Sequence, residues 1–264
     1  MLERMVGLVP AAGVARRLGA PASSKEIEPV YRSPAGEILP IAYRLLHAFA
    51  EAGITKAHVV TSAEKEDERE RLGAGDAGTP SLDHLVVESS PASSYTVSIG
   101  TRSAGERPVA LGFPDVLWAA ENAFGRLASR LEATDAAVVL GLFPPTEDYP
   151  TDGVAVAAGG RVSGFEPAAS AGGLSTWTLA VWRPSFSRFL ESEVALRYGP
   201  WSGATPSGEL AMTPVLALAL EAGMEIAALQ VSDRPFLDIG EPGRLEAARA
   251  ACRPASESGG SAAT

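Results

Sequence analysis

The chain is poor in the residues that most often announce chemistry. A single cysteine, Cys252, excludes an intramolecular disulfide and a cysteine-based zinc site. The three histidines, His47, His58 and His84, stand apart without metal-ligand spacing. No apolar run approaches the roughly 18 residues a membrane span requires. The first apolar strand starts within a few residues of Met1, leaving no room for a signal peptide. A location in the cytoplasm, away from membranes, is the expectation. Basic runs are equally scarce. The longest is the pair Arg16-Arg17 in a chain of formal net charge −10, which argues against a nucleic-acid backbone as partner. No internal repeat, Walker loop, G-x-G-x-x-G fingerprint or G-x-S-x-G elbow occurs. An acidic protein that handles phosphates must therefore concentrate its few cations locally or borrow charge from a metal ion.

What is present is a globular pattern: 264 residues, 46% hydrophobic and 20% charged, enough to bury a full core. Val6–Pro10 reads as a buried strand ending in a turn of small residues, and Ile41–Ala52 as an amphipathic helix stopped by Gly53. Strands follow at Lys56–Thr61, Leu85–Val87 and Pro108–Gly112, then a helix over Ala119–Leu131 and a strand over Ala136–Leu142. This alternation predicts an α/β fold with a doubly wound, mainly parallel, mixed Rossmann-like sheet, ligands binding at the edge where strands end. Beyond Phe143, Val154–Ala158 and Arg161–Phe165 flank Gly159-Gly160 as a two-residue hairpin. Thr176–Trp182 is a strand, Glu209–Ala222 a helix, Glu225–Val231 a last strand and Gly243–Ala251 a last helix. The expectation is one domain over 1–252 with a soft division into halves 1–145 and 146–252, the second forming a small β-rich lobe. Residues 253–264 read as a disordered tail.

Three segments carry chemistry. Leu8–Leu18 with Ser24–Pro29 joins a loop of small residues, whose backbone can approach phosphates, to Arg17, a bidentate donor, and Lys25, a mobile point charge. A solvated basic cluster is the plainer alternative. Asp115, in Gly112-Phe-Pro-Asp115 at a strand end, suits Mg²⁺, which takes one or two carboxylates and keeps its waters. A turn residue capping a helix that begins near Val116 fits equally. Asp238, in Pro235-Phe-Leu-Asp-Ile-Gly-Glu-Pro242, is the candidate second ligand, or a cap in its turn.

In order, A-A-G-x-x-x-R-L, S-K-x-x-x-P, G-x-x-D and L-D-x-G-x-P resemble the sugar-1-phosphate nucleotidylyltransferase family, of the glucose-1-phosphate thymidylyltransferase type, over roughly residues 6–250. The resemblance implies transfer of a nucleoside monophosphate from an NTP, pyrimidine favoured, to a sugar 1-phosphate, with Mg²⁺ and release of pyrophosphate. It implies that Ala11, Ala12 and Gly13 line the nucleotide, with Glu88 and Ser93 near the base. Arg17 and Lys25 would hold the phosphates, Asp115 and Asp238 the metal, and Glu166, Thr176, Trp177 and Glu209 the sugar. Relatives are often dimers or tetramers, so a homo-oligomer is compatible. The chain departs from the family at Ala15 and Arg16, at Pro167 where a lysine is usual, at Glu88 in place of glutamine, and at Trp177 in place of glycine. Two other readings stay open: a cytidylyltransferase acting on a non-sugar alcohol phosphate, and a non-catalytic nucleotide- or sugar-phosphate-binding homologue.

Overall fold

The computed structural model describes residues 2–13, 24–146, 151–168, 170–199, 209–240 and 242–252. In chain order the strands are β1 (Val6–Pro10), β2 (Tyr31–Arg32), β3 (Ile38–Leu39), β4 (Lys56–Ser62), β5 (Ser81–Val87), β6 (Val109–Gly112) and β7 (Val116–Leu117). They continue with β8 (Val138–Phe143), β9 (Gly153–Ala157), β10 (Arg161–Glu166), β11 (Thr176–Trp182), β12 (Ile226–Gln230) and β13 (Leu237–Asp238). The helices are α1 (Ala42–Glu51), α2 (Glu66–Leu72), α3 (Ser93–Ala104), α4 (Ala123–Glu132), α5 (Pro184–Tyr198), α6 (Met212–Glu221) and α7 (Pro242–Cys252). Among the described residues none of these helices is long and apolar enough to cross a membrane.

A nine-stranded sheet, ordered β5-β4-β1-β6-β11-β8-β12-β10-β9, forms the centre. Strands β5, β4, β1, β6, β8, β12 and β9 point one way; β11 and β10 run against them. The sheet is therefore mixed and mainly parallel, as the strand–helix alternation predicts. The hydrophobic strands are buried on both faces, β6, β8 and β11 along their whole length, because helices cover each side. One face packs α1 and α4 through Leu45, Phe49, Phe124 and Leu127. The other packs α3, α5 and α6 through Val97, Phe186, Leu190 and Leu216. Close approach explains Gly7 on β1, where an added Cβ would lie 2.7 Å from ring carbons of Phe49.

Chain order and sheet order diverge at β11. This strand, from the second half of the sequence, inserts between β6 and β8 of the first half. The halves on either side of residue 145 thus share one sheet, and only the β9–β10 hairpin at its edge has the character of a separate β-rich lobe. That hairpin pairs Ala157 with Arg161 and so turns through three residues, Ala158–Gly160, one more than the two-residue reading. Gly159 and Gly160 both take φ near +77° to +78°, which favours glycine. The segment after Asp115 also differs from its sequence reading. Val116 opens the short strand β7, not a helix, and α4 starts at Ala123.

Candidate active site

The strand directions place several loops along one edge of the sheet. The residues after β1, β6 and β8, and the start of antiparallel β11, all meet there. This is the edge at which open α/β sheets take ligands.

The two aspartates, 123 positions apart, are brought together by backbone pairing. β13 runs antiparallel to β7, matching Asp238 with Val116 and Leu237 with Leu117. The Ile239 N–H donates to the Asp115 carbonyl at 3.0 Å, so the ladder extends to the residue that carries the first carboxylate. Asp238 Oδ1 accepts the Gly240 N–H at 2.6 Å, which orients its side chain within a turn. Burial, and then the neighbouring Asp115 charge, push the Asp238 carboxyl above the ordinary carboxylate range, against the pull of Gly240, Lys25 and Arg244.

Lys25 faces this pair. It sits in a single 3₁₀ turn, Lys25–Ile27, and its ammonium bonds to Asp115 Oδ2 with only 18% and 16% of the two side chains exposed. Burial alone would lower the ammonium's affinity for its proton, but Asp115, Glu26 and Asp238 together hold it above the ordinary lysine value. It is a fixed positive charge at any working pH.

Two adjoining cavities open at this edge. The first, about 400 Å³, is lined by Gly13, Lys25, Glu26, Ser93, Phe113, Asp115 and Glu209 among others. The second, about 460 Å³, shares Ser93, Phe113 and Asp115 and is lined further by Thr176, Trp177, Phe236 and Asp238. The helix α3 starts at the seam, with Ser93 its first residue, so unpaired N–H groups and the positive end of the helix dipole face the first cavity. Trp177 packs against Phe113, ring centroids 6.1 Å apart, and its indole N–H donates to Thr213 Oγ1 at 3.2 Å. A tryptophan fits at this position because it forms the cavity wall.

The other residues singled out from sequence fall variously. Ala11 and Ala12 are buried, and both backbone groups of Ala11 are engaged within the protein, its N–H on the Val60 carbonyl and its carbonyl on Lys65. Glu88, just past β5, and Glu166, ending β10, are exposed and outside the linings of both cavities. Arg17 lies outside the described residues, as do Ala15 and Arg16 and the tail from 253. Sequence reasoning passed over Phe113, Thr213 and Phe236, and above all a buried charged group beneath Lys25. There Lys65 Nζ donates to Glu26 Oε1 at 2.8 Å and to the Ala11 carbonyl at 2.6 Å, with Glu68 Oε2 at 3.7 Å. The run Glu64–Glu70 is almost wholly charged, yet Glu68 is fully buried.

Among the described residues no group of three or more His, Cys, Asp or Glu could hold a metal by itself. Two carboxylates suit Mg²⁺ nonetheless, because that ion completes its shell with water and substrate phosphates.

No protein-family model matches the chain, and no curated protein matches it in sequence. Solved structures do match in shape. A glucose-1-phosphate thymidylyltransferase from Bacillus anthracis, solved with sucrose, superposes with a TM-score of 0.76 at 15% identity, covering 94% of this chain and 95% of that one. A UDP-glucose pyrophosphorylase complexed with UDP-glucose gives 0.73 at 15% identity over 94% and 98%. A UDP-glucose pyrophosphorylase in apo form gives 0.70 at 15% identity over 94% and 97%. The chain has the fold of these nucleotidylyltransferase structures over nearly its whole length.

Proposed function

We propose that the protein transfers a nucleoside monophosphate from an NTP to a sugar 1-phosphate, forming an NDP-sugar and releasing pyrophosphate. The observation that carries this reading is the meeting of Lys25, Asp115 and Asp238 at the sheet edge, between a small-residue loop and a cavity walled by Trp177. The neighbours in shape are titled as enzymes of this kind, which supports the same chemistry here.

The obstacle to such a reaction is the repulsion between two polyanions. An acceptor phosphate oxygen must approach the α-phosphorus of the NTP in line with the departing pyrophosphate. Lys25 offsets negative charge on the triphosphate at the point where it accumulates, and Arg17, assigned from sequence, does the same from the loop. The start of α3, with Ser93, offers backbone N–H groups to the nucleotide, and Gly13 lines the same cavity. Thr176, Trp177 and Phe236 orient the acceptor from the second cavity, so that its phosphate is presented along one direction. Asp115 and Asp238 would hold Mg²⁺, which when bound supplies further charge neutralisation at the phosphates. No covalent intermediate is involved, so catalysis rests on placement and electrostatics.

The decisive experiment is incubation with the common NTPs and Mg²⁺ against a panel of sugar 1-phosphates and alcohol phosphates, scored by pyrophosphate release. Turnover with a sugar 1-phosphate is expected, faster with a pyrimidine NTP. Turnover only with an alcohol phosphate would move the protein to the cytidylyltransferase reading. Ligand-induced stabilisation without pyrophosphate would make it a binding protein.

A further inference from the structure

The chain has three lysines among its 22 basic residues, Lys25, Lys56 and Lys65, and two of them lie within one cluster at the cleft. Lys56 is half-exposed on β4, paired with Asp83 at 2.7 Å. Lys65 is different in kind. It is buried to 8% exposure at the start of α2. Burying an ammonium is costly unless its donors are used, and two of them are. One goes to the carbonyl of Ala11, at the end of β1; the other goes to Glu26, the neighbour of Lys25 in the 3₁₀ turn. These two partners stand on either side of positions 14–23, so one side chain ties together the two segments that bracket that loop. Consecutive residues point opposite ways, Glu26 inward to Lys65 and Lys25 outward to Asp115.

A second tie runs in parallel. Asp67, on the first turn of α2, accepts both the backbone N–H and the hydroxyl of Ser24 at 2.7 Å each. The turn that presents Lys25 is thus held at Ser24 and at Glu26 by two consecutive stretches of α2 and its entry, Lys65 and Asp67. An exposed lysine of this length would sample many rotamers, and fixing it costs side-chain entropy. That cost is met before substrate arrives if the turn beneath is rigid.

We infer that Lys65 is a positioning residue for nucleotidyl transfer: by joining Ala11 to Glu26 beneath the cleft it sets the place of Lys25 relative to the end of β1, without itself touching substrate. This rests on the reading of the cleft given above. Its role differs from a buried ion pair that merely holds the fold together, since that would act on folding and leave the order of Lys25 in the folded protein unchanged.

Three lysines allow a direct test. With lysine alone labelled in ¹³C and ¹⁵N, the full-length protein gives three side-chain signals, and Lys25→Arg identifies one by its loss. The variants are Lys65→Met and the double variant Glu26→Gln/Lys65→Met, which removes both charges if the single change fails to fold; Glu26→Gln alone, retaining an amide oxygen for Lys65, is the control. In the folded Lys65 variants the Lys25 Cε order parameter is expected to drop toward that of Lys56, while the control keeps it high. The kcat for pyrophosphate release is expected to fall about 10- to 100-fold, with the acceptor KM changed by less than about threefold. A Lys25 as rigid in the folded variants as in the wild type overturns the inference, whatever the turnover. If the wild type releases no pyrophosphate with any pair, the proposed function fails, and the Lys25 signal still decides this point.

Discussion

In the folded protein the Glu68 carboxyl is fully buried, and burial first, then Glu26, push it up to about 8 from an ordinary 4.5, against the pull of Lys65. Replacing it by glutamine keeps the shape and removes the charge. Unfolding returns the wild-type carboxyl to its ordinary range. Between these two pH values the folded state therefore holds a proton that the unfolded chain has released. The stability this contributes is complete below about pH 4.5 and is lost as pH rises through about 8. One pKa unit corresponds to about 1.36 kcal/mol, so the whole interval amounts to about 5 kcal/mol. Glu26 shares the Lys65 ammonium and titrates with Glu68 as a pair, which leaves roughly half, about 2–3 kcal/mol, to position 68 itself. Urea unfolding of wild type and Glu68→Gln at about pH 5 and about pH 9 measures this. The two proteins are expected to lie close together at the acid end. At the alkaline end the variant is expected to be more stable by about 2–3 kcal/mol. Parallel stability curves across that range would refute the reasoning, because they would mean that Glu68 is ionised in the folded protein and satisfied in a way its surroundings do not provide.

Other expectations follow from the cleft and the core. Lys25→Ala is expected to lower kcat/KM for pyrophosphate release about 10²- to 10³-fold, a loss of about 2.7–4 kcal/mol in transition-state stabilisation, without lowering the melting temperature. Near wild-type turnover would discard its role. Asp238→Asn removes one of two facing carboxylates, so activity is expected to require about tenfold more Mg²⁺ for half-saturation, and an unchanged Mg²⁺ titration would assign Asp238 to its turn alone. Gly7→Ala drives a methyl into the Phe49 ring and is expected to cost about 1–3 kcal/mol in urea unfolding, with kcat unchanged once folded. A neutral effect would mean that Phe49 moves aside freely.

The apolar parts of the fold can be read in the sequence because periodicity survives there. Thr176–Trp182 and Val6–Pro10 coincide with their strands, and α1 ends where Gly53, with φ near +78°, stops it. The elements that escape are those where tertiary packing overrides propensity. α3 is written Ser-Ser-Tyr-Thr-Val-Ser-Ile-Gly-Thr-Arg-Ser-Ala, a composition that disfavours helix on every intrinsic scale. It forms because its small residues let it lie close against β1, where Gly100 meets Leu8. Two of its hydroxyls are satisfied within the helix, Thr101 on the Ser98 carbonyl at 3.0 Å and Ser98 on that of Tyr95 at 2.8 Å. α2, almost wholly charged, carries no apolar stripe to mark it as a helix, yet it forms and turns Glu68 inward. For the site, Lys25, Asp115 and Asp238 stand out as charged residues in Gly- and Pro-punctuated segments, with a surface cluster or a cap as the alternative and their joint role implied by the family resemblance. Lys65 does not, because its role depends on a carbonyl 54 positions away.

The two-residue pairing of β13 with β7 has a consequence for the order of synthesis. One acidic arm of the cleft leaves the ribosome less than halfway along the chain and the other only at position 238, after the strand that fills the middle of the sheet has already emerged. A nascent chain can hold all nine strands of the sheet while still lacking the second of the two cleft carboxylates. A chain ending between β12 and β13 would thus hold all nine strands of the sheet and lack Asp238.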